Sequence, residues 1–166
     1  MPRPATTRVA RAIATAGGAG YLPWAPGTWG TVVAVPIAYL TASWPLWAFA
    51  LFCVAVIAVG IWAAEVADRF WGTHDSGRIV IDEVAGYLVT VALVDRGDLV
   101  LLALGFFLFR AFDIAKPPPI RAIDRRMGGG AGVVLDDVAA GVMAGAVLTA
   151  AALLGAGDAI GAWLGA

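Results

Sequence analysis

The sequence predicts an all-α integral membrane protein. It reads as one domain over residues 1–166, with about five membrane-embedded helices, some short or kinked, around a central acidic helix. Three observations carry this expectation. Hydrophobic residues make up 61% of the 166 residues and charged residues only 14%, where a soluble domain is about a quarter charged. The mean hydropathy is +0.85. Apolar runs of roughly helical spanning length recur along the chain, and carboxylates enter them in adjacent pairs.

The N-terminal segment, residues 1–22, carries Arg3, Arg8 and Arg11, then a Gly- and Ala-rich stretch. It lacks the apolar core of a signal peptide and is expected to form a short basic helix over 5–16 at the membrane surface. "GTVVAVPIAYLTA" (30–42) is short for a crossing and is interrupted by Pro36, which predicts a kinked or partly re-entrant helix. "WPLWAFALFCVAVIAVGIWAAEVA" (44–67) is the clearest span, with Pro45 near its start. "RIVIDEVAGYLVTVALV" (78–94), "DLVLLALGFFLFRAFDIA" (98–115) and "GVVLDDVAAGVMAGAVLTAAALLGAG" (132–157) are the third, fourth and fifth. A short amphiphilic tail occupies 158–166.

Loop charges orient the bundle. Arg3, Arg8, Arg11, Arg69, Arg78, Lys116, Arg121, Arg125 and Arg126 fall on one side, and the alternate loops hold only Arg96. The positive-inside rule then places the N-terminus in the cytoplasm. It gathers Glu65, Asp68, Asp75, Asp82, Glu83, Asp113, Asp124, Asp136 and Asp137 at the inner face. Trp44 and Trp47 mark the outer interface, Trp62 and Trp71 the inner one.

Composition also excludes classes. A net charge of −1 gives no general attraction to nucleic acid. One cysteine, Cys53, and one histidine, His74, exclude an internal disulfide and a zinc site built on nitrogen and sulfur.

The chemistry lies in a short repeat. "IVIDEVAG" (79–86) and "VVLDDVAA" (133–140) each set an acid pair after three branched or leucine residues. Residues four apart share a helix face, so Asp82 stacks with Gly86, and Asp137 with Gly141 and Gly145. Small residues there allow close helix packing, which turns Asp82, Glu83, Asp136 and Asp137 toward the bundle interior. An acid in hydrocarbon costs roughly 2.5–3.5 kcal/mol; both pairs are expected in first helical turns, where the helix dipole returns only about 0.3–1 kcal/mol per acid. Arginine pairing or a bound divalent cation must supply the rest. An oxygen-only ligand set points to a hard ion, Mg²⁺ first and Mn²⁺ next. Salt bridging to Arg78, Arg110 and Arg121 is the plainer alternative, although one acid per arginine would then suffice.

Two further stretches surround the pairs. In "FRAFDIAKPPPIRAIDRR" (109–126), Arg110, Asp113 and Lys116 are spaced by three, as are Arg121 and Asp124. Basic groups beside an acid cluster suit a phosphate, although a basic loop also suits lipid head groups. "PWAPGTWGT" (23–31) brings Gly27 and Gly30 for close approach and Thr28 and Thr31 as hydroxyls, either as a phosphate cradle or as a simple tight turn.

Together, "PGTWGT" (26–31), "HDSGRIVIDEVAG" (74–86), "FRAFDIAKPPPI" (109–120) and "GGGAGVVLDDVAAG" (128–141) resemble the bacterial phosphatidylglycerophosphatase A family. The resemblance implies a Mg²⁺-dependent phosphomonoesterase that converts phosphatidylglycerophosphate into phosphatidylglycerol and phosphate at the bacterial inner membrane. It also implies an all-helical bundle. On that footing Asp82, Glu83, Asp113, Asp136 and Asp137 are the expected metal ligands. Asp82, Glu83, Asp137, His74 and Asp124 are the expected catalytic groups, the last two as proton donors. Thr28, Arg110, Lys116 and Arg121 are the expected phosphate contacts. The rival reading is a small cation or phosphate transporter using intramembrane acids. It predicts polar residues continuing to the outer side, whereas "AGAVLTAAALLGAG" and "LVLLALGFF" are apolar.

Overall fold

A computed structural model describes residues 4–164, except for the side chains of Pro119, Asp124, Arg125 and Leu164. Every regular element among them is helical. α1 (Pro4–Ala14) and a 3₁₀ segment (Ala16–Tyr21) lead into α2 (Pro26–Leu40), α3 (Leu46–Trp71), α4 (Ile81–Thr90), α5 (Leu99–Ala115), α6 (Pro118–Arg126), α7 (Gly129–Leu153) and α8 (Ala156–Leu164).

The helices differ in length, and some are short, as expected. Two helices, α3 with 26 residues and α7 with 25, are long and apolar enough to cross a membrane by length and composition. α4 has ten residues, about 15 Å at 1.5 Å per residue, half of a hydrocarbon core of about 30 Å. Its apolar run to Val94 breaks at Thr90, where the chain turns. α2, with Pro36 inside it, has 15 residues and also falls short. The membrane character instead shows on the outside. Leu51, Val54, Val59 and Trp62 of α3 are exposed, as are Phe107 of α5 and Val142 and Val147 of α7. Aliphatic and aromatic side chains this plentiful on the surface mark a membrane protein.

α4 is the central helix. Val84, Ala85, Gly86, Tyr87, Leu88 and Thr90 are all buried, and α4 packs chiefly on α7 and α2. Glycines make the α4–α7 crossing possible. A Cβ on Gly86 would lie 2.6 Å from the Asp137 carbonyl oxygen, and one on Gly145 would lie 2.9 Å from that of Thr90. A Cβ on Gly141 would strike the Gly86 carbonyl. The close approach expected of these small residues is therefore the observed packing.

The end of the bundle away from the acid pairs is closed by Arg96, which is buried. Its Nη2 donates to the carbonyls of Thr41 (3.1 Å) and Trp44 (3.0 Å), and its guanidinium lies 3.9 Å over the Phe49 ring. Arg96 thereby ties down the turn between α2 and α3.

The region after α5 departs from expectation. The triple proline does end α5, with Lys116 in the left-handed region at φ 40°. A new helix, α6, then begins at Pro118, because proline suits a first helical turn, where its missing N–H is no loss.

Candidate active site

α4, α5 and α7 bring their acids to one cavity of about 280 Å³, which α2 closes with Ala25, Pro26 and Gly27. Asp82, Glu83, Arg110, Asp113, Lys116, Asp136 and Asp137 all line it, with Asp75 and Gly77 from the loop before α4. Of the sequence-predicted residues, seven thus meet in one place.

Local sequence explains each position. Asp82 and Glu83 stand in the first turn of α4, where the positive helix end favours anions. Asp136 and Asp137 do not share that setting. α7 starts at Gly129, and its first turn holds no acid. The second pair sits about two turns in, beyond the reach of the dipole. The expectation that both pairs occupy first turns is therefore corrected, because the glycines at 129 and 130 extend the helix backward. They do so by packing on α3. A Cβ on Gly130 would lie 2.6 Å from the Glu65 backbone nitrogen, and the Gly130 N–H donates to Glu65 Oε2 at 2.7 Å.

Cations split the acids into two kinds. Lys116 Nζ donates to Asp136 Oδ2 at 2.6 Å, across to α7. The three-residue spacing had placed Lys116 along α5 with Asp113, but its left-handed backbone swings it out of the helical row. Arg110 Nη1 donates to Asp113 Oδ2 at 2.6 Å and lies 3.6 Å from Glu83 Oε1. Gly27 lets α2 abut this pair, since a Cβ there would lie 2.9 Å from Arg110 Nη1 and collide with the Glu83 carboxylate.

The other kind is a triad. Ligand oxygens of Asp82, Glu83 and Asp137 lie within 4.8 Å of one another. Asp82 Oδ1, Glu83 Oε2 and Asp137 Oδ2 are buried with no hydrogen-bond partner. Two carboxylates at 4.8 Å repel by about 3.5 kcal/mol at an effective dielectric near 20. Three mutual repulsions exceed what one arginine, 3.6 Å from Glu83 alone, offsets. The orphaned oxygens, converging from two helices, fit a hard cation held by oxygen ligands. The site is thus an acidic group able to hold a metal ion beside two fixed cations.

Three predicted residues fall elsewhere. Thr28 is half-buried in the first turn of α2 and does not line the cavity. Arg121 is exposed and lines a separate surface pocket on α6 with Pro118, Ala122 and Arg126. His74 is exposed in the loop after α3, outside the cavity lining and close to Gly128. Asp124 belongs to the side chains not described. Arg78, the alternative partner for the acids, instead lies 5.5 Å over the Trp71 ring.

Asp68 was not assigned a role from sequence. Buried at the end of α3, its Oδ1 accepts from Thr73 Oγ1 (3.2 Å) and the Ser76 N–H (3.0 Å), and its Oδ2 from the Asp75 N–H (2.8 Å). It thereby shapes the loop that carries Asp75 and Gly77 to the cavity. The signal was present in an acid closing an apolar helix just before "THDSG".

A sequence model of the phosphatidylglycerophosphatase A family matches residues 12–152. The chain belongs to that family. It is similar to the phosphatidylglycerophosphatase A of Escherichia coli, 37% identical over 131 residues, covering 79% of this chain and 76% of that protein. The phosphatidylglycerophosphatase A of Haemophilus influenzae is 33% identical over 128 residues, covering 76% and 78%. A Bacteroides thetaiotaomicron protein, provisionally named a phosphatidylinositol-3-phosphatase, is 39% identical over 138 residues, covering 78% and 85%. No solved structure matches the chain. The matched region runs from α1 to within one residue of the end of α7 and contains every lining residue of the acid cavity. Membership makes the chain a phosphatase.

Proposed function

We propose that the chain hydrolyses phosphatidylglycerophosphate to phosphatidylglycerol and inorganic phosphate, with Mg²⁺ as cofactor, at the cytoplasmic face of a bacterial inner membrane. The observation that carries the reading is the triad of orphaned carboxylate oxygens beside Arg110 and Lys116. Two relatives named phosphatidylglycerophosphatase A support the substrate.

In this reading Asp82, Glu83 and Asp137 hold the metal. When bound, it supplies positive charge for the phosphoryl oxygens and lowers the pKa of an attacking water. Arg110 and Lys116 present N–H donors to the same oxygens as charge builds during P–O cleavage. Asp113 fixes the Arg110 fork at 2.6 Å, and Asp136 fixes Lys116 at 2.6 Å. Arg110 thus stands at the edge of the triad, 3.6 Å from Glu83, and Lys116 is held on Asp136. The cavity admits a phosphate-sized head group, while acyl chains stay against the apolar exterior. In this reading Asp113 and Asp136, both expected as ligands, act instead through Arg110 and Lys116. Substitution of His74 and of Asp124 tests the proton-donor roles expected of them.

Phosphate release from phosphatidylglycerophosphate in detergent micelles tests this. Release with Mg²⁺ that EDTA stops is the expected result. Release unaffected by EDTA overturns the metal assignment. No release from this lipid, with release from phosphatidylinositol 3-phosphate, overturns the substrate. No release from either lipid favours the transporter reading.

A further inference from the structure

A second polar site lies at the N-terminal end of the chain, sharing no residue with the acid cavity. Arg8, Arg11, Thr15, Gly17, Gly18 and Tyr21 line a pocket of about 310 Å³. Arg8 and Arg11 are three apart on one face of α1. The Arg11 guanidinium is fixed in place: Nη2 donates to Tyr21 Oη at 3.2 Å, and its carbon lies 4.3 Å over the Phe70 ring. Its Nε is buried without a hydrogen-bond partner. Among the described residues, no carboxylate lies within ion-pair distance of Arg8 or Arg11. A pre-set guanidinium with donors to spare and no counter-ion is suited to a phosphate oxyanion.

A different kind of space opens beside it. Val9, Ile13, Val33, Ile37, Ile81 and Val84 line an apolar groove of about 450 Å³ between α1, α2 and α4. Ala12 and Gly17 belong to both walls, so the basic pocket and the groove are contiguous. Gly17 sits in the left-handed region at φ 71°, with nothing within 4 Å of where its Cβ would stand. The boundary between the two spaces is therefore low.

One class of molecule joins an anionic head to a hydrocarbon tail. We propose that this is a binding site for an anionic phospholipid that is not the substrate, its net negative head group on Arg8 and Arg11 and one acyl chain in the groove. Charge complementarity selects the head group. The apolar groove selects a lipid over free phosphate. Ile81 and Val84 flank the first acid pair on α4, so a chain lying there bears on the back of the helix that carries Asp82 and Glu83.

The test uses the full chain in neutral detergent, with lipid binding counted by native mass spectrometry. Phosphatidylserine and phosphatidylcholine of matched acyl chains are the probes. Phosphatidylserine is neither substrate nor product of the proposed reaction, so failure here leaves that reading standing. Binding of one phosphatidylserine about tenfold tighter than phosphatidylcholine is expected, the effect of about one charge-assisted hydrogen bond. Arg8→Gln with Arg11→Gln should erase the preference, and exposed Arg8→Gln alone should reduce it if the double variant does not fold. Ala12→Phe, at the shared wall, should weaken both lipids. Lys116→Gln, in the acid cavity, should keep the preference. Equal binding of the two lipids, a preference retained without Arg8 and Arg11, or displacement by equimolar inorganic phosphate would overturn the site.

Discussion

The two acid pairs read almost alike in sequence, yet they stand in different physical situations. Asp82 and Glu83 open α4, in its first turn. Asp136 and Asp137 lie well inside α7, past the reach of its dipole. Only the second pair divides: Asp136 takes Lys116 at 2.6 Å, while Asp82, Glu83 and Asp137 each keep a buried oxygen without a partner, Glu83 also lying 3.6 Å from Arg110. The functional unit is therefore neither pair. It is a triad drawn from both, made by the α4–α7 crossing. Adjacent acids on a helix point about 100° apart: the first pair nevertheless gives both side chains to the triad, whereas the second gives Asp137 and leaves Asp136 for Lys116.

The comparison can be broken by substitution. Asp82→Asn and Asp137→Asn should each lower phosphate release by more than about 100-fold, since changes merely behind a ligand already cost 10–100-fold. Neither should lower the melting temperature of metal-free protein, because each removes an unpaired buried charge. A destabilised Asp82→Asn protein would show that this carboxylate has a structural partner instead.

Metal removal is the next effect. EDTA should abolish phosphate release, and Mg²⁺ should raise the melting temperature of the parent protein but not of Asp82→Asn or Asp137→Asn. A Mg²⁺ shift that survives both substitutions would place the ion elsewhere.

Asp136→Asn should behave in the opposite sense from its neighbour. It breaks the ion pair with Lys116, which is partly buried, and should cost about 1–3 kcal/mol in chemical denaturation. Stability equal to that of Asp137→Asn would remove the distinction between the two acids.

Gly86→Ala should also destabilise by about 1–3 kcal/mol through overpacking at the helix crossing, with activity falling as the triad separates. The smallest effect is expected of His74→Ala. The side chain is exposed and outside the cavity, so turnover should stay within about threefold of the parent, under 1 kcal/mol of barrier. A 100-fold loss would restore its assignment as a proton donor.

Much of the site was legible because its signals are local. Acid pairs followed by small residues indicate an inward face whatever the fold, and Arg110 with Asp113 form the pair that three-residue spacing predicts. Lys116 was legible as a participant but not as the partner of Asp136. Its direction depends on a left-handed residue before a proline. Thr28 and Arg121 carry suitable chemistry, but the first turn of α2 and the exposed face of α6 turn them from the cavity. Asp68 acts by holding a loop, a role that spacing alone does not reveal. Helix length was less legible for a related reason: hydropathy counts apolar residues, and the core of a bundle is as apolar as its lipid-facing surface.

By itself the sequence determined an all-helical membrane protein with carboxylates turned inward beside basic residues, because hydropathy, helical spacing and side-chain chemistry belong to each segment. Only the tertiary structure decided which oxygens meet. That choice rests on glycine contacts between α4 and α7 and on the α3–α7 packing that sets where α7 begins. Such contacts join residues distant in the chain, and a shift of one residue in either crossing would hand a different acid to the triad.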